Sequence, residues 1–395
     1  MMHRDLDEIK HRLIYDKRVL ESIERVYGNE TQDVLLSLLT PPRRLYLRIN
    51  ILRTNRDYVL DLLREEGYNA YPDPVIEEAI YFIIEGPNKI SDYGLRVIVD
   101  KRAAESIMMG AEIYSPGVVY CDKEIKRGSM VTVYSENMIA VAEGEAYVSC
   151  EDAMMSRKGL FIKNINSLYK APPIRELNVW KRGLVYPQSL PSMIASRLLE
   201  PKKNDFIVDM CAAPGGKTSH LFELSGGLAK ILAIDHSKKR VEEMTENLRR
   251  LGYGDKIDIL VADSRYLSID FPSLVADKVM LDPPCTSTGV RPKIYDKKTE
   301  KDLVSLVKYQ EQFLREASKI TRKGGLIVYS TCSITYDENE GLIKRFIEKE
   351  KLFDIADVPE YIRRIGSEAS EGLGIRFHPH KNDSPGHYMI LLKKI

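Results

Sequence analysis

Between residues 206 and 392 short apolar runs alternate with amphipathic helical stretches, and this alternation restricts the second half of the chain to one class of architecture. Phe206-Ile207-Val208-Asp209-Met210 reads as a strand, Thr218 to Leu224 as a helix, Ala229 to Asp235 as a second strand and Ser237 to Leu251 as a charged amphipathic helix. Strands follow at Ile257 to Val261 and Lys278 to Leu281, then a long helix near Glu300 to Ile320, a strand at Leu326 to Tyr329, a helix at Glu338 to Glu348 and a closing strand at Tyr388 to Leu392. Such alternation predicts an α/β fold, a doubly wound Rossmann-like sheet covered on both faces. Ligands of these sheets bind beyond the carboxyl ends of the strands, so the residues there are the candidates for chemistry.

Three of those ends carry a pattern for holding a nucleoside. Cys211-Ala212-Ala213-Pro214-Gly215-Gly216-Lys217-Thr218 joins the first strand to its helix, and its small residues let the backbone approach a ligand closely. The glycine spacing is not that of a Walker phosphate loop. Asp235 ends the second strand, where an acid can take both hydroxyls of a ribose, and Asp263 ends the third, suited to the edge of an adenine. A strand-end carboxylate often only caps a helix; three successive ends together describe a cofactor lying across the sheet.

Two further ends carry thiols. The run from Val279 to Gly289 breaks from apolar residues into Asp282-Pro283-Pro284-Cys285, a loop that cannot be helical, and Ser330-Thr331-Cys332-Ser333 follows the Leu326 to Tyr329 strand. A lone buried cysteine is usually inert core, but two beside Asp282 and a cofactor cleft point to nucleophilic chemistry. The residues alone make Cys285 the first candidate nucleophile.

The first half has a different texture. Leu6, Ile9, Leu13 and Ile14, then Val19, Leu20, Ile23 and Val26, have helical spacing and predict a packing pair that ends before Pro41-Pro42. Arg43, Arg44, Arg48, Arg53 and Arg56 interleave with Leu45, Leu47, Ile49 and Ile51 without an acid, which predicts a strand with one buried face and one basic, phosphate-contacting face. From about Ser91 several short strands, with one helix near Lys101 to Met109, predict a small β-barrel. Its tail, residues 157–182, holds seven basic residues against Glu176 alone and predicts a surface that tracks a nucleic-acid backbone.

At 395 residues the chain exceeds one ordinary core, and its changes of texture divide it into an α+β region at 1–90, the barrel at 91–172 and the alternating domain at 173–395. Lys plus Arg total 59 against 58 Asp plus Glu, so any contact with a polyanion must come from local patches. Five cysteines, an odd number with no Cys-x-x-Cys, argue against a disulfide framework and against a zinc site, and predict free thiols. No apolar stretch reaches the roughly 20 residues of a bilayer span, and Met1-Met2-His3-Arg4-Asp5 lacks a signal-peptide core; the expectation is a cytoplasmic monomer. Pro379 separates His378 from His380, and with His387 they form no cluster with Cys or an acid, so a loop facing the active site or RNA is expected there rather than a metal site.

Two resemblances follow from these motifs. Asp100 to Glu105, Gly110-Ala111-Glu112, Ser115 to Val118 and Lys126 to Val131 resemble a PUA domain, which implies a module that grips RNA. Cys211 to Thr218, Asp235, Asp263, Asp282 to Cys285, Thr331-Cys332 and Arg376-Phe377-His378-Pro379-His380 resemble the Nol/Nop/Sun family of S-adenosylmethionine-dependent RNA cytosine-5 methyltransferases, from Arg43 almost to the end. The resemblance implies that Cys332 adds to carbon 6 of a cytosine, making carbon 5 able to attack a methyl sulfonium, and that Cys285 helps release the product. It implies that Lys217 and Asp282 touch the base, Asp282 with a raised pKa near ring nitrogen 3, and that Cys211, Ala212, Ala213, Pro214, Gly215, Gly216, Lys217, Asp235, Asp263 and Asp282 hold S-adenosylmethionine. Pro283 stands where alanine is usual, and Thr286-Ser287 where Ser-Gly is usual. A PUA domain ahead of Tyr186-Pro187-Gln188-Ser189 resembles the branch that methylates cytosine 72 of the tRNA acceptor stem and recognises the 3′ CCA end; ribosomal RNA, a DNA cytosine or a non-catalytic role are the alternatives.

Overall fold

A computed structural model describes the backbone of residues 2–395 and the side chains from residue 6 onward. The alternating half forms one nine-stranded sheet. Asp258–Val261, Lys230–Asp235, Phe206–Asp209, Ala276–Leu281 and Thr321–Thr331 are parallel neighbours in that order, and His387–Lys394 closes antiparallel on Thr321–Thr331. Strand order reverses between Phe206–Asp209 and Ala276–Leu281, which opens a crevice at their carboxyl ends. Side chains along a strand alternate between faces, so Ile207, Met280 and Val328 enter one core while Val208, Val279, Leu281 and Ile327 enter the other. Burial on both faces is what the unbroken apolar runs require. The covering helices start where their caps place them: the Ser237 side chain accepts from the Arg240 N–H at the head of Lys238–Leu251, and Thr299 and Asp302 form a capping box ahead of Glu300–Ile320.

A six-stranded sheet forms the barrel, in the order Ile113–Tyr114, Leu160–Ser167, Ala140–Ala146, Met130–Ser135, Arg96–Val99, Val118–Cys121. Val97, Val99, Val131, Val133, Val141 and Phe161 fill it. Here the expectation of free thiols is corrected. Cys121, at the end of one strand, and Cys150, at the start of the Cys150–Ser156 helix, form a disulfide with Cα atoms 5.9 Å apart. The barrel's closure brings together two residues 29 positions apart, a proximity that spacing alone does not reveal. Cys211, Cys285 and Cys332 remain free.

The N-terminal helices Met2–Arg12, Lys17–Tyr27 and Thr31–Leu38 pack against Leu303 and Ile334 of the large domain. Next comes a four-stranded sheet ordered Val185–Pro187, Arg44–Ile49, Ala79–Ile83, Tyr71–Pro72, so a strand from beyond the barrel completes it. The basic face expected of the arginine run is not there. Leu47, Arg48 and Ile49 are all buried, because the sheet is covered on both sides, and Arg48 donates to Glu223 at 3.0 Å and to Ser219 at 2.8 Å. Arg43, Arg44 and Arg53 stay exposed. No helix among the described residues is long and apolar enough to cross a membrane.

Candidate active site

Backbone geometry sets the nucleoside-binding loop first. Gly215 sits at φ +97°, a left-handed turn that ends the loop and starts the Gly216–Leu224 helix, and a Cβ there would lie 3.0 Å from Met244. The loop's carbonyls are tied from outside: Arg48 donates to Gly216 O at 2.6 Å, Asn247 to Pro214 O at 3.1 Å, and Arg240 to Ala213 O. Sequence reasoning missed Arg48 in this role, because its partner lies 168 positions away.

Asp235 and Asp263 end their strands as expected, on one crevice with Cys211 and an apolar floor of Met210, Pro284 and Phe313. Asp235 accepts the Ser237 N–H at 3.0 Å and pairs with Arg240 at 3.1 Å; Asp263 is held by Arg265, which keeps its carboxyl below the usual range. Carboxylates flanking an apolar floor suit the hydroxyls and the flat ring of an adenosine, so the chemistry of the lining fits S-adenosylmethionine. Burial drives the Cys211 thiol well above its ordinary pKa, which leaves it a packing group and not a nucleophile.

A neighbouring cleft of about 230 Å³ is lined by Lys217, Asp282, Asp209 and the Tyr186 to Ser189 segment. Lys217 Nζ donates to Asp282 at 2.5 Å, and Ser330 donates to the other carboxyl oxygen at 3.0 Å. Burial pushes Asp282 up more than any other single cause, but the charges of Lys217 and His387 and the hydrogen bonds from Lys217 and Ser330 together outweigh it, and the carboxyl ends below its usual range. A raised Asp282 was the expectation; the ion pair reverses it, and Lys217 becomes the proton-bearing member of the pair. Asp209, which sequence reasoning passed over, is pushed by burial up to about 6.

The two thiols meet. Cys285 Sγ lies 3.3 Å from Cys332 Sγ, and the Cys332 thiol donates to the Ser287 hydroxyl at 3.5 Å. The hydrogen bond from Cys285 holds Cys332 below the ordinary thiol pKa, whereas the same contact, then burial, holds Cys285 well above it. Ser287 occupies φ +55°, the left-handed region that glycine adopts freely, so this chain accepts backbone strain and gains a hydroxyl beside the sulfurs. His387 is buried at the start of the last strand, within the field of Lys217 and Asp282, and burial lowers its pKa to about 3. His378 and His380 stand edge-on to Tyr27 at 5.4 and 5.9 Å. Among the described residues no group of three or more His, Cys, Asp or Glu could hold a metal ion.

Known proteins are similar to this chain along most of its length. The family model of the 16S rRNA methyltransferase RsmB/F matches residues 196–393, a PUA domain model matches 95–168, and a ferredoxin-like domain model of RsmF/B-like methyltransferases matches 17–90. The tRNA (cytosine(72)-C(5))-methyltransferase of Pyrococcus horikoshii is 37% identical over 96% of this chain and 97% of its own length. The tRNA (cytosine(72)-C(5))-methyltransferase NSUN6 of Mus musculus is 26% identical over 93% of this chain and 83% of its own. The crystal structure of NSun6 from Pyrococcus horikoshii with SFG, an analogue of S-adenosylmethionine, superposes with a TM-score of 0.90 at 36% identity, covering 96% of this chain and 98% of that one. With its cofactor crevice, paired thiols and matches along nearly its whole length, the chain belongs to the S-adenosylmethionine-dependent RNA cytosine-C5 methyltransferase family that includes RsmB/F.

Proposed function

We propose that the chain methylates carbon 5 of cytosine 72 in the acceptor stem of tRNA, with the barrel holding the 3′ CCA end. The observation that carries this reading is the pair of unbonded thiols, 3.3 Å apart and beside the Lys217–Asp282 pair, in a chain alike along 96% of its length to a tRNA cytosine-72 methyltransferase.

The thiols have different protonation roles. Cys332, lowered, is the thiolate that adds to carbon 6 of the ring. Negative charge then develops on the ring, and Lys217, paired with Asp282, supplies the proton at ring nitrogen 3 while Asp282 accepts from the exocyclic amine. Bound S-adenosylmethionine supplies an electrophilic methyl group. Cys285 is held up mainly by its bond to Cys332. Once Cys332 becomes a thioether that cause disappears, and Cys285 passes its proton to the Lys217 amine, which has given its own to the ring, and takes the proton from carbon 5. Breaking the carbon 6–sulfur bond then returns Cys332 as thiolate, and the proton on ring nitrogen 3 passes to solvent as the product leaves. Paired cytosine 72 must leave its stack to reach the thiol, and the cleft walled by Tyr186 and Gln188 is where the base would enter.

The test is transfer of labelled methyl groups to tRNA transcripts with and without the terminal CCA, with ribosomal RNA in a third arm because the RsmB/F family model matches residues 196–393. Label at cytosine 72, reduced when CCA is removed, is expected. Label indifferent to CCA sinks the barrel's role, and label confined to ribosomal RNA sinks the choice of substrate.

A further inference from the structure

A carboxylate outside the reacting shell ties the two cysteine loops together. Glu338 is fully buried, and its five partners are uncharged: the Thr286 N–H at 2.8 Å, the Thr286 hydroxyl at 2.6 Å, the Ser333 hydroxyl at 2.5 Å, the Thr335 hydroxyl at 2.9 Å and the Gln310 amide at 3.0 Å. Thr286 directly follows Cys285, and Ser333 directly follows Cys332. The Gln310 amide also donates to Pro284 O at 3.0 Å, which fixes the residue before Cys285 to the same point. Thr288 completes the stitch, its hydroxyl 3.1 Å from that of Ser333 and accepting the Ile334 N–H at 3.1 Å. Five donors on one buried carboxylate define a narrow geometry, because a buried donor left unmatched is destabilising.

We propose that Glu338 is a positioning residue for the reaction: by clamping Thr286 and Ser333 it holds the Cys285 and Cys332 sulfurs in hydrogen-bond contact, and so sets which of them is the thiolate. The inference rests on the two-thiol reading above and adds the group that makes the pair. The thiol contact is short and both sulfurs hang from loops, so without a common anchor they would separate independently. Around the sulfurs the other charged or titratable groups are Asp282 at its strand end, Lys217 from the cofactor loop, Tyr329, whose hydroxyl donates to Glu338 O at 2.7 Å, and Glu338 itself. Neither Asp282 nor Lys217 is hydrogen-bonded to Glu338; their partners are each other and Ser330, so that ion pair stays in place when Glu338 is changed.

The experiment uses the full-length protein without RNA and follows alkylation of Cys332 by iodoacetamide against pH, read by mass spectrometry of its peptide. Glu338→Gln keeps the shape and one acceptor oxygen but turns an amide toward the hydroxyls. Its expected result is a Cys332 alkylation profile moved up by about one pH unit, with affinity for S-adenosylmethionine retained. The shift is expected to vanish in a Cys285→Ala background, because Glu338 acts through the thiol contact. A Glu338→Gln protein with a lower melting temperature but an unmoved profile overturns the proposal, as does an equal shift in the Cys285→Ala background. A moved profile in a protein that methylates no tRNA leaves Glu338's role standing and sinks the substrate reading instead. Glu338→Ala serves as the second variant, with a larger shift expected wherever it folds.

Discussion

Two cysteine pairs in this chain met opposite ends. In the barrel Cys121 and Cys150 are joined, one at a strand end and one at a helix start, in a fold whose small core gains from a covalent tie. In the large domain Cys285 and Cys332 stand 3.3 Å apart, hydrogen-bonded and unjoined, with Lys217, Asp282 and the Ser287 hydroxyl around them. The difference lies in what surrounds the sulfurs. The barrel pair has only packing neighbours, so joining it restricts the unfolded chain. The second pair sits at two strand ends beside the Lys217–Asp282 pair, where one proton shared between two sulfurs suits the proposed roles of nucleophile and later base.

The sharpest way to break this comparison is to exchange the roles by mutation. Cys332→Ser is expected to lower methyl transfer at least about 10³-fold and to give no covalent protein–RNA band on a denaturing gel. Cys285→Ser is expected to stop turnover yet accumulate that band, because addition proceeds and release does not. The opposite pattern would return the nucleophile to the proline loop. Replacing both Cys121 and Cys150 by Ser should leave single-turnover chemistry unchanged while lowering stability by about 2–4 kcal/mol, measured by denaturant unfolding under non-reducing conditions. A loss of chemistry there would erase the distinction between the pairs.

pH sharpens it further. Cys332 is lowered, so its thiolate forms at lower pH than an ordinary thiol's, and the single-turnover rate should rise and level off below the usual thiol range. Cys285→Ala removes the largest cause of that lowering, and for the addition step alone the rising limb should move up by about one unit. His387 titrates near 3 and contributes no limb above pH 5. The smallest effect is expected of Ser287→Gly. It relieves the φ of +55° and loses one hydroxyl beside the sulfurs, for a stability change under about 1 kcal/mol and a slight upward move of the same limb.

Much of the active site was legible because its residues sit at strand ends, and strand ends can be read from hydrophobic period. Cys211 to Lys217, Asp235, Asp263, Asp282, Cys285 and Cys332 all lie where the alternation put them, and the structure brings them to one end of one sheet. Ser287 and Glu338 were not legible in that way. Ser287 takes part only because its backbone turns left-handed, and Glu338 reads as an ordinary acid opening a helix until the fold buries it among Thr286, Ser333 and Gln310. The arginine run failed for a related reason. Period two reports alternation but not what covers each face, and the large domain's Glu223 and Ser219 cover the face that carries Arg48.

By itself the sequence determined the layered α/β domain, the barrel ahead of it and the chemistry available at each strand end. These follow from local rules, in which apolar period, glycine and proline decide the path of the backbone within a few residues. Only the tertiary structure decided which thiols pair covalently, which carboxylates are held low by a cation, and that the Cys285 and Cys332 loops share one buried anchor. Those depend on distances between residues 29 to 65 positions apart, and burial turns such distances into pKa shifts and bonds of known sign.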